Sequence, residues 1–306
     1  MKTISEMQEG LLAISKQLAV MSDDLADFKN EASGAAGMMP DILEQIERQA
    51  QATPILNKKM ISTNDRTRQT YMRFLAALAA GDEAKLLFAR RISIGSGSDW
   101  NVDRLAGEGR NLGAGFIDSI VENLKDFRYT LLLDTLVMAH LSGAAQEKDL
   151  NFIADACAIL QCSDEDIAIV AQVAAAVVQQ DKSMFDKVVC KKPFHGLSHL
   201  IPSEWLKKIF VGTYVKESLY KNPYMTRSIQ YKKAVESGIW VKEKQKIFEK
   251  LNPEYHAYTF MFSYWKSDKS PSIDVCAEVS GIVKYISTET SGEFQVYIYS
   301  PFDEEA

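Results

Sequence analysis

Hydrophobic positions at the start of the chain recur every seven residues: Ile4, Leu11, Leu18 and Leu25, each followed three residues later by Met7, Ile14, Met21 and Phe28. Apolar residues at such a and d positions share one seam of a helix, the pattern of a coiled coil. Residues 1–32 therefore read as an oligomerisation helix. The flanking Gln8, Gly10, Ser15, Gln17 and Ser22 are uncharged and select no partner, so the seam could equally pack on the protein's own body. Gly34, Gly37 and Pro40 then interrupt the pattern, because glycine and proline disfavour a helix interior.

From Pro40 to about residue 190 the period is that of amphipathic helices. Pro40 suits a first-turn position and Pro54 ends the helix it opens. In DRTRQTYMRFLAALAAGDEAKLLFARRISI, Tyr71, Phe74, Leu75 and Leu78 recur at helical spacing, with a break around Gly81-Asp82. Three further helices follow from Leu131: one reaching about His140, one from Gln146 to Leu160, and one headed by Ser163 as N-cap with Asp166 as capping-box acid. The Gly-rich stretch GSGSDWNVDRLAGEGRNLGAG lacks the preceding strand and the following Lys-Ser or Lys-Thr pair of a phosphate loop. It reads as a connector, with Asp99 or Asn101 capping the next helix.

Beyond residue 190 the picture shifts twice. Trp205, Ile209, Phe210 and Thr213 fall on one helical face, so residues 191–252 read as a helical connector. After Pro253 the period becomes two: Tyr258, Phe260, Phe262 and Tyr264 alternate with Ala257, Thr259, Met261 and Ser263, a strand signature. IDVCAEVSGIVKYIS and EFQVYIYS supply further strands, with a bend at Gly281 and a turn at Ser291-Gly292. The expected fold class is α+β, mainly α: a heptad helix (1–32), a helical bundle (40–190), a basic connector (191–252) and a small antiparallel β-unit (253–306).

Composition adds a core-forming class: 306 residues, 46% hydrophobic and 25% charged, exclude a disordered chain. Four cysteines in this length do not make a disulfide framework, and a reducing cytoplasm is the expected location. The longest nearly uncharged apolar stretch, Ile167 to Val178, is broken by Gln172 and is shorter than the roughly 18 residues of a bilayer span, so none is expected.

The formal charge of −6 conceals a segregation: residues 182–250 hold 15 Lys or Arg against 6 Asp or Glu, and the remainder 20 against 35. Lys207, Lys208, Lys216, Lys221, Arg227, Lys232 and Lys233, interleaved with aromatics, are candidate contacts to nucleic acid or another anionic partner. The same pattern is met by helices with core aromatics and solvated lysines. Cys190, His195 and His199 offer zinc three ligands where four are needed.

The run Ala139-His140-Leu141-Ser142-Gly143 through Asp166 (a helix ending in A-x-x-x-G, an acid-rich helix start, I-A-x-x-x-A-I-L, then S-D-E-D) resembles a TerB-like, tellurite-resistance helical domain. The resemblance spans residues 70–190 at its widest. It implies an all-α bundle of a bacterial cytoplasmic protein of stress resistance or phage defence, working with protein partners such as an ATPase or helicase of the same operon. It also implies a divalent cation near the first turn, held here by Glu147 and Asp149, with Ser142 standing where the family often has Asp. A hard cation wants several carboxylate oxygens and only two acids remain, which counts against its retention, and no other cofactor is expected.

No G-x-S-x-G, H-E-x-x-H or Walker motif is present, and His140, His195, His199 and His256 have no triad-like context in sequence. No catalytic residues are assigned. The expectation is a non-enzymatic interaction or regulatory protein, with a nucleic-acid-associated component as the alternative and a cation sensor or acidic-site hydrolase as a third.

Overall fold

In the computed structural model, residues 40–108, 115–143, 145–215, 230–251, 254–259, 262–267, 275–287 and 293–303 are described. The chain divides into two compact units, the first reaching Val189 and adding Gly196–Trp205, the second taking Cys190–His195 and residues from Leu206 onward. The heptad positions Ile4 to Phe28 lie outside the described residues.

The first unit is a helical bundle of α1 (Pro40–Ala52), α2 (Lys58–Ile61), α3 (Asp65–Ala79), α4 (Glu83–Gly95), α5 (Val102–Glu108), α6 (Phe116–Leu124), α7 (Arg128–His140), α8 (Glu147–Ile159), α9 (Asp164–Gln179) and α10 (Lys182–Phe185). Side-chain caps open most of these helices by supplying acceptors to orphan N–H groups. Asn64 accepts from Thr67 N, Asp82 from Lys85 N, Asn101 from Arg104 N and Ser163 from Asp166 N. The Asp166 carboxylate also accepts from the Tyr129 hydroxyl at 2.5 Å.

Helix α7 lies at the centre, with every residue from Thr130 to Ala139 buried. A helix apolar on all sides belongs inside. It packs along α9, α8 and α3, while α4 packs on α1 and α3. Each buried Leu of α7 contributes about 1.5–3 kcal/mol of transfer free energy. The GSGSD stretch is the end of α4 and the turn after it. A Cβ on Gly95 would stand 1.7 Å from the Ile55 carbonyl oxygen, and Asn57 N–H donates to the Gly95 carbonyl at 3.1 Å. The glycine serves close chain packing.

The second unit is built of antiparallel strands in sheets ordered β1-β9-β8-β3, β2-β4-β7 and β5-β6, with β1 Lys208–Val215, β2 Gln230–Lys233, β3 Trp240–Val241, β4 Lys246–Leu251, β5 Glu254–Thr259, β6 Phe262–Ser267, β7 Val275–Cys276, β8 Gly281–Ser287 and β9 Glu293–Tyr299. The expectation of a helical connector over 191–252 is corrected: its described part from Lys208 on forms strands, so the β-unit starts near Leu206 and not at 253. The short run around Phe210 satisfies helical and extended spacing alike. Pairing with β9, register Ile209↔Ile298 and Phe210↔Tyr297, decides for the strand, because it places Ile209 opposite a fully buried residue. The alternation from Ala257 to Ser263 is likewise two strands, since Thr259 pairs with Phe262 and the chain reverses between them.

The core of this unit consists of Val241, Ile247, Phe248, Ala277, Val283, Val296 and Ile298. On β8 and β9 those residues alternate with Lys284, Gln295 and Tyr297. One face of the sheet is therefore sealed and the other presents polar and aromatic groups. Gly281 brings two strands close, since a Cβ there would lie 2.3 Å from the Tyr299 carbonyl oxygen.

Candidate functional site

Asp134 is an acid in the middle of the apolar run Leu131-Leu132-Leu133-Asp134-Thr135-Leu136, and burial there demands partners. It has two. The Tyr71 hydroxyl, from α3, donates to its Oδ2 at 2.5 Å, and His199 Nε2 meets its Oδ1 at 2.5 Å. His199 Nδ1 lies 3.0 Å from the Gly196 carbonyl oxygen, which also accepts from the Thr130 hydroxyl at 3.2 Å. The two ring nitrogens of His199 thus span the Asp134 carboxylate and the Gly196 carbonyl. Burial, reinforced by the neighbouring Asp134 carboxylate, pushes the Tyr71 hydroxyl well above its ordinary range and keeps it a donor.

These residues have the make-up of a proton relay, and sequence separations of 63 and 65 residues hid them. The side chains of Asp134 and His199 have no exposed surface and Tyr71 is fully buried. No substrate reaches them, so the relay is a structural tie. Gly196 is required at its centre: its φ is +80°, and a Cβ would come within 2.7 Å of the Thr130 hydroxyl oxygen.

The expected cation ligands part company. Glu147 is exposed at the first residue of α8. Asp149 is buried and its Oδ2 receives the Lys85 ammonium at 2.5 Å, with both side chains no more than 5% exposed. A lysine therefore supplies the positive charge that the cation reading assigned to a metal, and the positive end of α8 adds to it. Ser142 donates instead to Asp82, the N-cap of α4. Among the described residues no group of three His, Cys, Asp or Glu side chains could hold a metal ion.

Of the basic candidates, Lys216, Lys221 and Arg227 lie outside the described residues. Lys232 and Lys233 are on β2, and the Lys233 ammonium sits 4.3 Å from the Tyr285 ring centroid. Lys207 precedes β1, where its carbonyl accepts from Ser300 N–H at 2.7 Å. Lys208 joins a constellation that no single stretch of sequence contains. On one face of the four-stranded sheet, register places Phe210, Tyr297 and Lys284 in one row and Lys208, Tyr299 and Ile282 in the next; Phe210 and Lys208 are exposed, Tyr297 and Lys284 half-buried, and Tyr299 and Ile282 buried.

Phe210 is 53% exposed, and its ring centroid is 5.3 Å from that of half-buried Tyr297. The Lys208 ammonium stands 5.1 Å from the Tyr297 centroid and 5.0 Å from that of Tyr299, and Lys284 stands 5.3 Å from Tyr299. Cation–π attraction holds Lys208 against half-buried Tyr297 and both lysines against buried Tyr299. The Tyr297 hydroxyl donates to Gln295 Oε1 at 2.8 Å, which fixes its ring. The face thus offers an exposed π-surface flanked by cations. The alternation of Tyr297 and Tyr299 in QVYIYS, set beside Lys208-Ile209-Phe210, was the available sequence signal, but the pairing that joins them was not. Among the described residues, no helix is long and apolar enough to cross a membrane. No protein-family model, curated protein or solved structure matches the chain.

Proposed function

We propose that this chain is a non-enzymatic interaction protein of a bacterial, cytoplasmic stress-resistance or phage-defence system, built on a TerB-like helical bundle and assembling with protein partners. The observation that carries this reading is the distribution of chemistry in the helical unit. Its triad-like residues and its Lys85–Asp149 pair are turned inward, while α6 presents Ile117 and Val121, 41% and 47% exposed and four residues apart, on the flank beside buried Phe116, Ile120 and Leu124. An apolar pair on the outer face of an amphipathic helix is what a protein partner covers.

The resemblance over residues 139–166 and the eight heptad positions from Ile4 to Phe28 support the same reading. Light scattering on the full chain and on a chain lacking residues 1–32 tests its assembly. The full chain is expected to form an oligomer that the truncation dissociates, and a monomer in both cases overturns the assembly.

A further inference from the structure

We propose that the open face of the β1-β9-β8-β3 sheet binds single-stranded nucleic acid, one base stacking on Phe210 and its neighbour resting against Tyr297 while Lys208 and Lys284 meet the phosphates. The proposal rests on the reading of the chain as a binding protein and adds a ligand class and a site to it.

Three observations carry it. First, the sheet is one-sided: Val283, Val296 and Ile298 are fully buried beneath it, whereas Phe210 on the other face is 53% exposed. Second, rings and cations come together. A nucleotide presents a π-face and an anion a few ångströms apart; the Phe210 and Tyr297 rings lie 5.3 Å apart, the Lys208 ammonium is 5.1 Å from Tyr297, and Lys284 stands in the same row of the sheet. Third, charge is complementary at the scale of the unit. Cys190–His195 and Leu206–Ala306 together hold 16 Lys or Arg against 13 Asp or Glu, in a chain that is acidic overall. Lys192 adds a cation 5.8 Å from the Phe194 ring, in the segment whose Phe194 N–H donates to Pro301 just past the end of β9.

Stacking is tolerant of sequence because every base has a π-face, and lysine meets phosphate as a point charge without the fork that reads base edges. The face therefore binds single strands with little base preference. A duplex keeps its bases stacked on each other and cannot use Phe210.

Fluorescence anisotropy with the full chain tests this, using labelled oligothymidine and oligouridine of about 20 nucleotides and a duplex of equal length, from about 20 to 200 mM salt, the range over which phosphate contacts weaken steeply. The single strands are expected to bind more tightly than the duplex. Replacing Phe210 by Ala should weaken single-strand binding by about 5- to 100-fold at fixed salt, the loss of one stacked base, and leave the salt slope unchanged. Replacing Lys208 and Lys284 by Gln should reduce the slope of log K against log salt by about 1.4, at roughly 0.7 per phosphate contact on a single strand.

Absence of saturable single-strand binding at the lowest salt overturns the proposal. So does binding that Phe210→Ala leaves unchanged, or a duplex bound as tightly as the single strand. Sedimentation with vesicles containing phosphatidylserine completes the set, and a Phe210-dependent vesicle interaction with inert oligonucleotides makes the face a membrane contact and refutes the nucleic-acid site. None of these results bears on the light-scattering test, so the two readings fail separately.

Discussion

Lys85 and Lys208 show how differently the two units use the same side chain. Lys85 is buried in the helical bundle with its ammonium on Asp149, while Lys208 lies exposed on the β-unit with its ammonium over two tyrosine rings. The bundle encloses polar groups in pairs whose partners come from distant elements: Lys85 with Asp149, Asp134 with Tyr71 and His199, Asp166 with Tyr129. Among the described residues of the β-unit, by contrast, the buried side chains are apolar apart from Ser300 and the Tyr299 hydroxyl group. Buried pairs with demanding geometry specify how helices that could otherwise slide must dock. A sheet has less need of this, because its backbone pairing already sets the register. Lys208 and Lys284 keep their ammonium groups against tyrosine rings outside the apolar core.

The comparison can be broken most severely at Asp134. Asp134→Ala leaves buried Tyr71 and His199 without their shared carboxylate and should cost about 3–5 kcal/mol in urea unfolding. The double variant Asp134→Ala, His199→Ala should lose much less than the sum of its single losses, and additivity would show that the two are not coupled. Lys85→Met should cost about 3 kcal/mol by leaving Asp149 buried and unpaired, with much of it recovered when Asp149→Leu is added. Gly196→Ala introduces a side chain at φ +80° against Thr130, and a loss of about 1–3 kcal/mol is expected by thermal melting.

A smaller effect concerns acid. The Arg90 guanidinium donates to both oxygens of Glu47, at 2.7 Å each, and this hydrogen bonding holds the Glu47 carboxyl below its ordinary value of 4.5 despite partial burial. A lowered folded-state value means that the stabilisation is complete above the unfolded value and disappears as pH falls through the folded one. Wild type should therefore lose roughly 1 kcal/mol more than Glu47→Gln between about pH 5 and pH 3. The smallest effect sharpens the contrast: Phe210→Ala and Lys284→Gln should change stability by no more than about 0.5 kcal/mol in the same assays, as surface substitutions do, while altering the binding described above.

Much of the bundle was legible because helices announce themselves locally. Gly81-Asp82 separates α3 from α4, Ser163 opens α9, and Pro40 stands in the first turn of α1. The β1 strand was not, because Trp205, Ile209, Phe210 and Thr213 fit a helical face as well, and only the distant β9 resolves the ambiguity. The sheet face was half legible: Lys208 and the interleaved aromatics were in view, but Tyr297 and Lys284 join them through register alone. The tie at Asp134 left one signal, a carboxylate within an apolar run. That implies a partner without naming it, since Tyr71 and His199 lie more than sixty residues away on either side. Asp149 misled for the complementary reason: an acid in a first turn looks available until Lys85 is placed beside it.

The return of Gly196–Trp205 to the bundle sets an order of events on the ribosome. His199 follows Asp134 by 65 residues, so at about 5–20 residues per second it is synthesised roughly 3–13 s later. During that interval the central helix carries a carboxylate that its own half of the chain cannot fully neutralise. The nascent bundle has to wait for the segment that passes through Cys190–His195 before its interior closes. A chain interrupted at residue 190 would keep every long helix and still lack the residue that completes their core.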